Sequence, residues 1–257
     1  MTPIKTWFLA ALVVIAGCGK KEAASSGAIK VAAAADLAFA FKEVGAAFEK
    51  KTGKKVTFTF GSTGQLAKQI SEGAPYDVFA AANVSFVDEV VKAGACDGDT
   101  KAMYARGRIV VWTKNGGVAA VAALTDLTDA RFVKIAIANP EHAPYGKAAK
   151  QALEAAGLWE AVKSKIVYGE NIQQTLQFAQ TGNAEAAVAA LSLAKVSDEG
   201  SYFLIDEKLH KPIDQAIVVC KHGVNQAVGK DFATFVNSEE GRAIMRKFGF
   251  LLPNESA

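Results

Sequence analysis

The chain has 257 residues, 51% of them apolar, with 29 Lys and Arg against 26 Asp and Glu, for a net charge of +3. That excess is far too small for a nucleic-acid protein, and no basic stripe interleaved with aromatics runs along the chain. With a leader removed, about 230 residues remain, enough to bury a full core as one large domain or two lobes.

Lys5 precedes an apolar run from Trp7 to Ala16. The run is too short to span a bilayer but has the length of a signal-peptide core. It ends in Ile15-Ala16-Gly17-Cys18, which resembles the bacterial lipobox, where the Cys is lipidated and becomes the new first residue. Residues 1–17 are therefore read as a lipoprotein signal peptide. Residues 18–28 follow as a tether, polar from Lys20 to Gly27. The mature chain is expected outside the cytoplasm, in the periplasm or at the cell surface, held to a membrane by the lipid on Cys18.

Strands and helices then alternate, which predicts an α/β fold with mostly parallel sheets. Ile29 to Ala34 reads as a buried strand, and the helix after it carries Leu37, Phe41, Val44 and Phe48 on one face. Strand Val56–Phe60 leads to helix Gln65–Glu72, and strand Val78–Ala82 to helix Ser85–Ala93. A strand over Arg108–Thr113 ends near Gly116-Gly117. A second set follows: strand Lys134–Ala138, a helix with Ala149, Leu153 and Ala156 on one face, strand Lys165–Tyr168, helix Ile172–Thr181 and strand Ala186–Ala190. Strand Ile217–Val219 and two helices close the chain. Cys96 falls in a loop and Cys220 ends a strand, so no disulfide is expected.

Four strand-to-helix turns are candidates to face a ligand: Ala35-Asp36, Ser62-Thr63-Gly64, Ala143 to Gly146, and Asn171-Ile172. Ligands of open α/β sheets sit at the carboxyl ends of strands, where helices begin. Ser62-Thr63-Gly64 is the most informative of the four. It aims free backbone N–H groups and two hydroxyls at one point, backed by a helix dipole, which makes an anion site. No Lys or Arg lies in the turn, so neutral dipoles supply the donors. This suits a dehydrated oxyanion better than a phosphate held by charge.

The order and spacing of these turns resemble the extracytoplasmic molybdate-binding proteins of ABC transporters, the ModA family. The landmarks are Val31-Ala32-Ala33-Ala34, Gly61-Ser62-Thr63-Gly64, Gly73-Ala74-Pro75-Tyr76-Asp77-Val78-Phe79, Asn139-Pro140-Glu141-His142-Ala143-Pro144-Tyr145-Gly146 and Gly249-Phe250. The resemblance implies a periplasmic-binding-protein fold of two α/β lobes around a cleft. Lobe 1 would comprise residues 29–108 plus 214–257, and lobe 2 residues 109–213. It implies that molybdate, and tungstate as well, is held by hydroxyls and backbone N–H groups alone. Carried over by position, the ligand contacts are Ser62, Thr63, Tyr145, the Ile172 N–H and the Asp36 N–H. An ABC permease with its ATPase would be the partner, and the protein would act as a monomer, without cofactor and without catalysis.

Asp36 departs from the family, which places a serine or similar neutral donor in that turn. An ionised carboxylate about 3–4 Å from a dianion costs several kcal/mol in a partly dry site. Asp36 is therefore expected to cap the following helix, accepting the N–H of Ala38 or Phe39. Were its carboxylate to face the cleft, phosphate-like ligands would be favoured. Other oxyanions (sulfate, phosphate, a phosphonate) form the alternative reading. His142, His210 and His222 are scattered, without neighbours at metal-ligand spacing. A secreted hydrolase built from Asp36, His142 and a hydroxyl is the alternative from a different class.

Overall fold

The computed structural model describes residues 27–118, 120–253 and 255. Cys18, residues 1–17 read as a signal peptide, and nearly all of the segment read as a tether lie outside the described residues.

The chain opens with β1 (Ile29–Ala34), a 3-10 turn at Ala35–Leu37 and helix α1 (Ala38–Thr52). Next come β2 (Val56–Gly61), α2 (Thr63–Ser71), β3 (Val78–Ala81), α3 (Val84–Lys92) and the long β4 (Cys96–Gly107). β5 (Ile109–Lys114), β6 (Ile135–Ala138), α4 (Pro144–Ala155), α5 (Trp159–Val162) and β7 (Ile166–Gly169) follow. α6 (Ile172–Gln180), β8 (Ala186–Ala190), α7 (Leu191–Ala194) and β9 (Gly200–Leu204) lead to β10 (Ile213–Cys220), α8 (Gln226–Val236) and α9 (Glu239–Lys247).

Two five-stranded sheets result, ordered β2-β1-β3-β10-β4 and β7-β6-β8-β5-β9, one in each of two lobes. The chain passes from the first sheet to the second at Arg108 and returns between β9 and β10. The expectation of mostly parallel sheets needs correcting. β1 pairs in parallel with β2 and β3, but β10 runs antiparallel to both β3 and β4. The second sheet repeats the plan, with β5 antiparallel to β8 and β9. β4 is the strand by which the chain leaves the first sheet and β10 the one by which it returns, and the two run in opposite senses.

The reading of Cys96 as a loop residue is also overturned. Cys96 starts β4, and the antiparallel register sets it opposite Cys220, with Cα atoms 3.9 Å apart. The pair forms a disulfide. Asp97-Gly98-Asp99 has the composition of a turn, and only the pairing to β10 makes it strand.

The core of lobe 1 follows from the stripe on α1. Phe41, Val44 and Phe48 are fully buried, and the two phenylalanine rings meet Phe232 of α8 edge-on. Burying each such ring contributes about 1.5–3 kcal/mol, which fixes α1 and so the turn that precedes it. Asp77, part of the landmark Gly73 to Phe79, serves the frame: its carboxylate accepts the N–H of Lys30 at 2.7 Å and of Asn225 at 2.6 Å.

Candidate functional site

One small cavity is lined by Ala34, Ala35, Asp36, Gly61, Ser62, Thr63, Ala82, Ala143, Pro144, Tyr145, Asn171 and Ile172. All four strand-to-helix turns therefore meet there, two from each sheet. Asp36 is the only charged residue in this lining.

The turns differ in what they offer. Thr63 is buried at the first position of α2, and its Oγ1 accepts the Ala82 N–H at 3.2 Å, so its hydroxyl proton is left for another acceptor. At α6 the side chain of Asn171 accepts the N–H groups of Gln173 and Gln174, each at 3.0 Å, and its carbonyl accepts that of Thr175. The Ile172 N–H is thus the first-turn donor left without an acceptor, at the positive end of a helix dipole. α4 begins with Pro144, whose missing N–H costs nothing at that position. Tyr145 follows, 2% exposed, with its ring against the cavity.

Ser62 caps α2 by backbone geometry alone. Its Oγ turns across the cleft to the His142 carbonyl at 2.7 Å and to His142 Nδ1 at 2.8 Å. The Gly64 N–H donates to the same carbonyl at 2.9 Å. A Cβ at position 64 would stand 2.9 Å from that oxygen, so only glycine lets the two lobes approach here. Gln65 adds a further bridge, donating to Glu170 at 2.7 Å.

Asp36 does not cap its helix: neither the 3-10 turn nor α1 has a side-chain cap. Its carboxylate instead turns to the cleft, where Oδ2 accepts the Tyr145 hydroxyl from the opposite lobe at 2.9 Å and Gln215 Nε2 from β10 of its own sheet at 2.6 Å. Gln215 Nε2 also donates to Tyr145 Oη at 3.1 Å, and Tyr104 donates to Gln215 Oε1 at 2.8 Å, which fixes the orientation of the amide. The reason is geometric. Capping at Asp36 requires a helix beginning at once, but the 3-10 turn interposes Leu37, and two stronger donors stand nearby. Burial raises the Asp36 pKa from 3.8 to about 6, opposed by the Gln215 and Tyr145 hydrogen bonds and by its own N–H. The phenols of Tyr145 and Tyr104 are pushed well above their ordinary value, first by burial and then by the Asp36 charge.

Gln215, Tyr104 and Ser192, whose hydroxyl donates to the Asp36 carbonyl at 2.8 Å, were not anticipated from sequence. One signal was available for Gln215, an amide just inside an otherwise apolar strand run. Gly107 serves the same cluster, since a Cβ there would sit 2.0 Å from Tyr145 Oη. The hydrolase arrangement is not assembled: Asp36 pairs with Tyr145 and Gln215, while His142 faces Ser62. Among the described residues no cluster of His, Cys, Asp and Glu is suited to a metal ion.

The chain matches the family model for bacterial extracellular solute-binding proteins over residues 29–251. It is 36% identical to the molybdate-binding protein ModA of Rhodobacter capsulatus, covering 89% of this chain and 90% of that one. ModA of Azotobacter vinelandii is also 36% identical, with coverage of 94% and 97%. The solved periplasmic molybdate-binding protein of Azotobacter vinelandii superposes with a TM-score of 0.82 at 28% identity, covering 88% of this chain and all of that one. These are solute-binding rather than catalytic proteins. The chain belongs to the bacterial extracellular solute-binding proteins and, within them, to the ModA family.

Proposed function

We propose that this protein is the substrate-binding component of an ABC importer for molybdate, accepting tungstate as well, and that lipid on Cys18 tethers it to the membrane. The observation that carries the reading is the convergence of four turns on one cavity whose donors are neutral. Thr63 supplies a hydroxyl and an N–H, Ile172 and Asp36 supply N–H groups, and Tyr145 and Ser62 stand beside the ion. These groups touch oxygens of the anion, never its central atom. Lobe 1 is taken as residues 29–108 plus 214–257 and lobe 2 as 109–213, closing on the ion as a monomer and presenting the closed form to a permease and its ATPase. Sulfate shares the charge and shape of molybdate but is smaller. Donors fixed by two lobes cannot all approach it to about 2.8–3.0 Å at once, which gives selectivity by size.

One observation favours a second reading, an oxyanion that carries its own proton, such as phosphate or a phosphonate: the Asp36 carboxyl lines the cavity. A thermal-shift panel separates the two. At a thousandfold excess over its dissociation constant a ligand stabilises by about 4 kcal/mol. Molybdate and tungstate should raise Tm by several degrees, and sulfate and phosphate at equal concentration by little. A larger shift with sulfate or phosphate would overturn the molybdate assignment.

A further inference from the structure

Asp36 is 1% exposed and lines the cavity, yet its two carboxyl oxygens stand in different situations. Oδ2 receives two donors, the Tyr145 hydroxyl and the Gln215 amide, and is saturated. Oδ1 is buried with no hydrogen-bond partner. A proton added to this carboxyl therefore belongs on Oδ1, where it becomes a donor within a site otherwise built of neutral donors.

We infer that the site takes up its oxyanion together with one proton, carried on Asp36 Oδ1 and donated as a hydrogen bond to the anion. The inference rests on the oxyanion reading of the cavity and assigns Asp36 a role that reading leaves open. The proton comes from solvent. Without it, an anionic carboxylate and a dianion would share one small dry cavity. With it, the carboxyl does what a serine hydroxyl would do.

The surroundings supply no competing charge. Tyr145 faces Asp36 from α4, Tyr104 from β4, Gln215 from β10 and the Ser192 hydroxyl from α7. Thr63 and Ser62 stand in the α2 turn, and His142 is turned toward Ser62. No Lys, Arg or second carboxylate lines the cavity. Burial already lifts the Asp36 pKa to about 6 before any anion is present, and a bound dianion raises it further. Between those two pKa values the bound state holds the proton and the free state does not. Affinity is then highest at low pH and falls as pH rises, about tenfold per pH unit.

Calorimetric titration of the mature protein with sodium molybdate decides the matter, run from about pH 6 to about pH 8.5 in two buffers of different ionisation enthalpy. The expected result is uptake approaching one proton per molybdate, with affinity weakening about tenfold per pH unit over this window. Asp36→Asn keeps a donor at the same place without titrating, so it should bind with no proton uptake and a flat pH profile. Native affinity that is flat, with no buffer-dependent heat, would overturn the inference while leaving the oxyanion reading intact. Equal proton uptake in Asp36→Asn would overturn it too. Absence of molybdate binding at every pH would overturn both.

Discussion

Replacing Asp36 by Asn keeps the shape of the side chain and removes its titration, so the variant isolates the cost of burying this carboxyl in the ligand-free protein. The folded pKa of about 6 lies above the ordinary 3.8. The folded state therefore holds the proton more tightly than the unfolded chain. The sign follows: the stabilising contribution is complete below pH 3.8 and is lost as pH rises through about 6. At about 1.36 kcal/mol per pH unit, the gap corresponds to about 3 kcal/mol. Urea unfolding of both proteins from about pH 4 to about pH 7.5 reads this directly, because every other titrating group cancels in the difference. The native protein should lose about 2–3 kcal/mol relative to Asp36→Asn across that window, equivalent to roughly 4–12 °C in Tm for a chain of this size. Parallel stability curves would show that Asp36 is not held in a dry environment, and the account of its pairing with Tyr145 and Gln215 would fail.

Thr63→Ala removes a buried hydroxyl whose proton is free for the anion, and should weaken molybdate binding about tenfold to a hundredfold, since a hydrogen bond to a charged group contributes about 1.5–3 kcal/mol. Tyr145→Phe takes its donor from Asp36 and reaches the anion only through that carboxyl, so it should weaken binding less. Unchanged affinity in both, by titration calorimetry, would remove these residues from the site. Reducing the Cys96–Cys220 disulfide, or replacing both cysteines by Ala, should lower stability by about 2–5 kcal/mol in chemical denaturation while leaving the cavity and its affinity intact. Labelling of native protein by a thiol reagent at both positions would contradict the pairing. Cys18→Ser should release the protein from the membrane fraction; native protein found freely soluble, with its mature end elsewhere, would refute the anchor.

The helices and parallel strands were legible because their signals are local. The α1 stripe of Phe41, Val44 and Phe48 states its own period, and each of the four turns shows a strand ending where a helix begins. β4 and β9 were not legible. Cys96-Asp97-Gly98-Asp99 and Gly200-Ser201-Tyr202 have the composition of turns, and they become strands only through partners about a hundred residues away along the chain, or nearly so. The disulfide was hidden for the same reason. At the cavity, which residues share a turn could be read in sequence, but where their side chains lead could not. Asp36 is an ordinary cap by its position, and its true partners lie 109 and 179 residues further on. Ser62, also at a helix start, likewise spends its hydroxyl on the opposite lobe.

The disulfide has a consequence for how the chain withstands cutting. Cys96 and Cys220 are 124 residues apart in sequence and enclose the whole second sheet, from β5 to β9. Lobe 2 is thus a covalent loop whose two ends are fastened in lobe 1. A protease that nicks an exposed turn of lobe 2, such as Asn115-Gly116-Gly117, opens the backbone without releasing a fragment. The two pieces stay joined through sulfur and run as one species until a reductant is added. Outside the cell, where proteases are met and reductants are scarce, a single cut in lobe 2 therefore leaves both halves of the cleft attached to the same molecule.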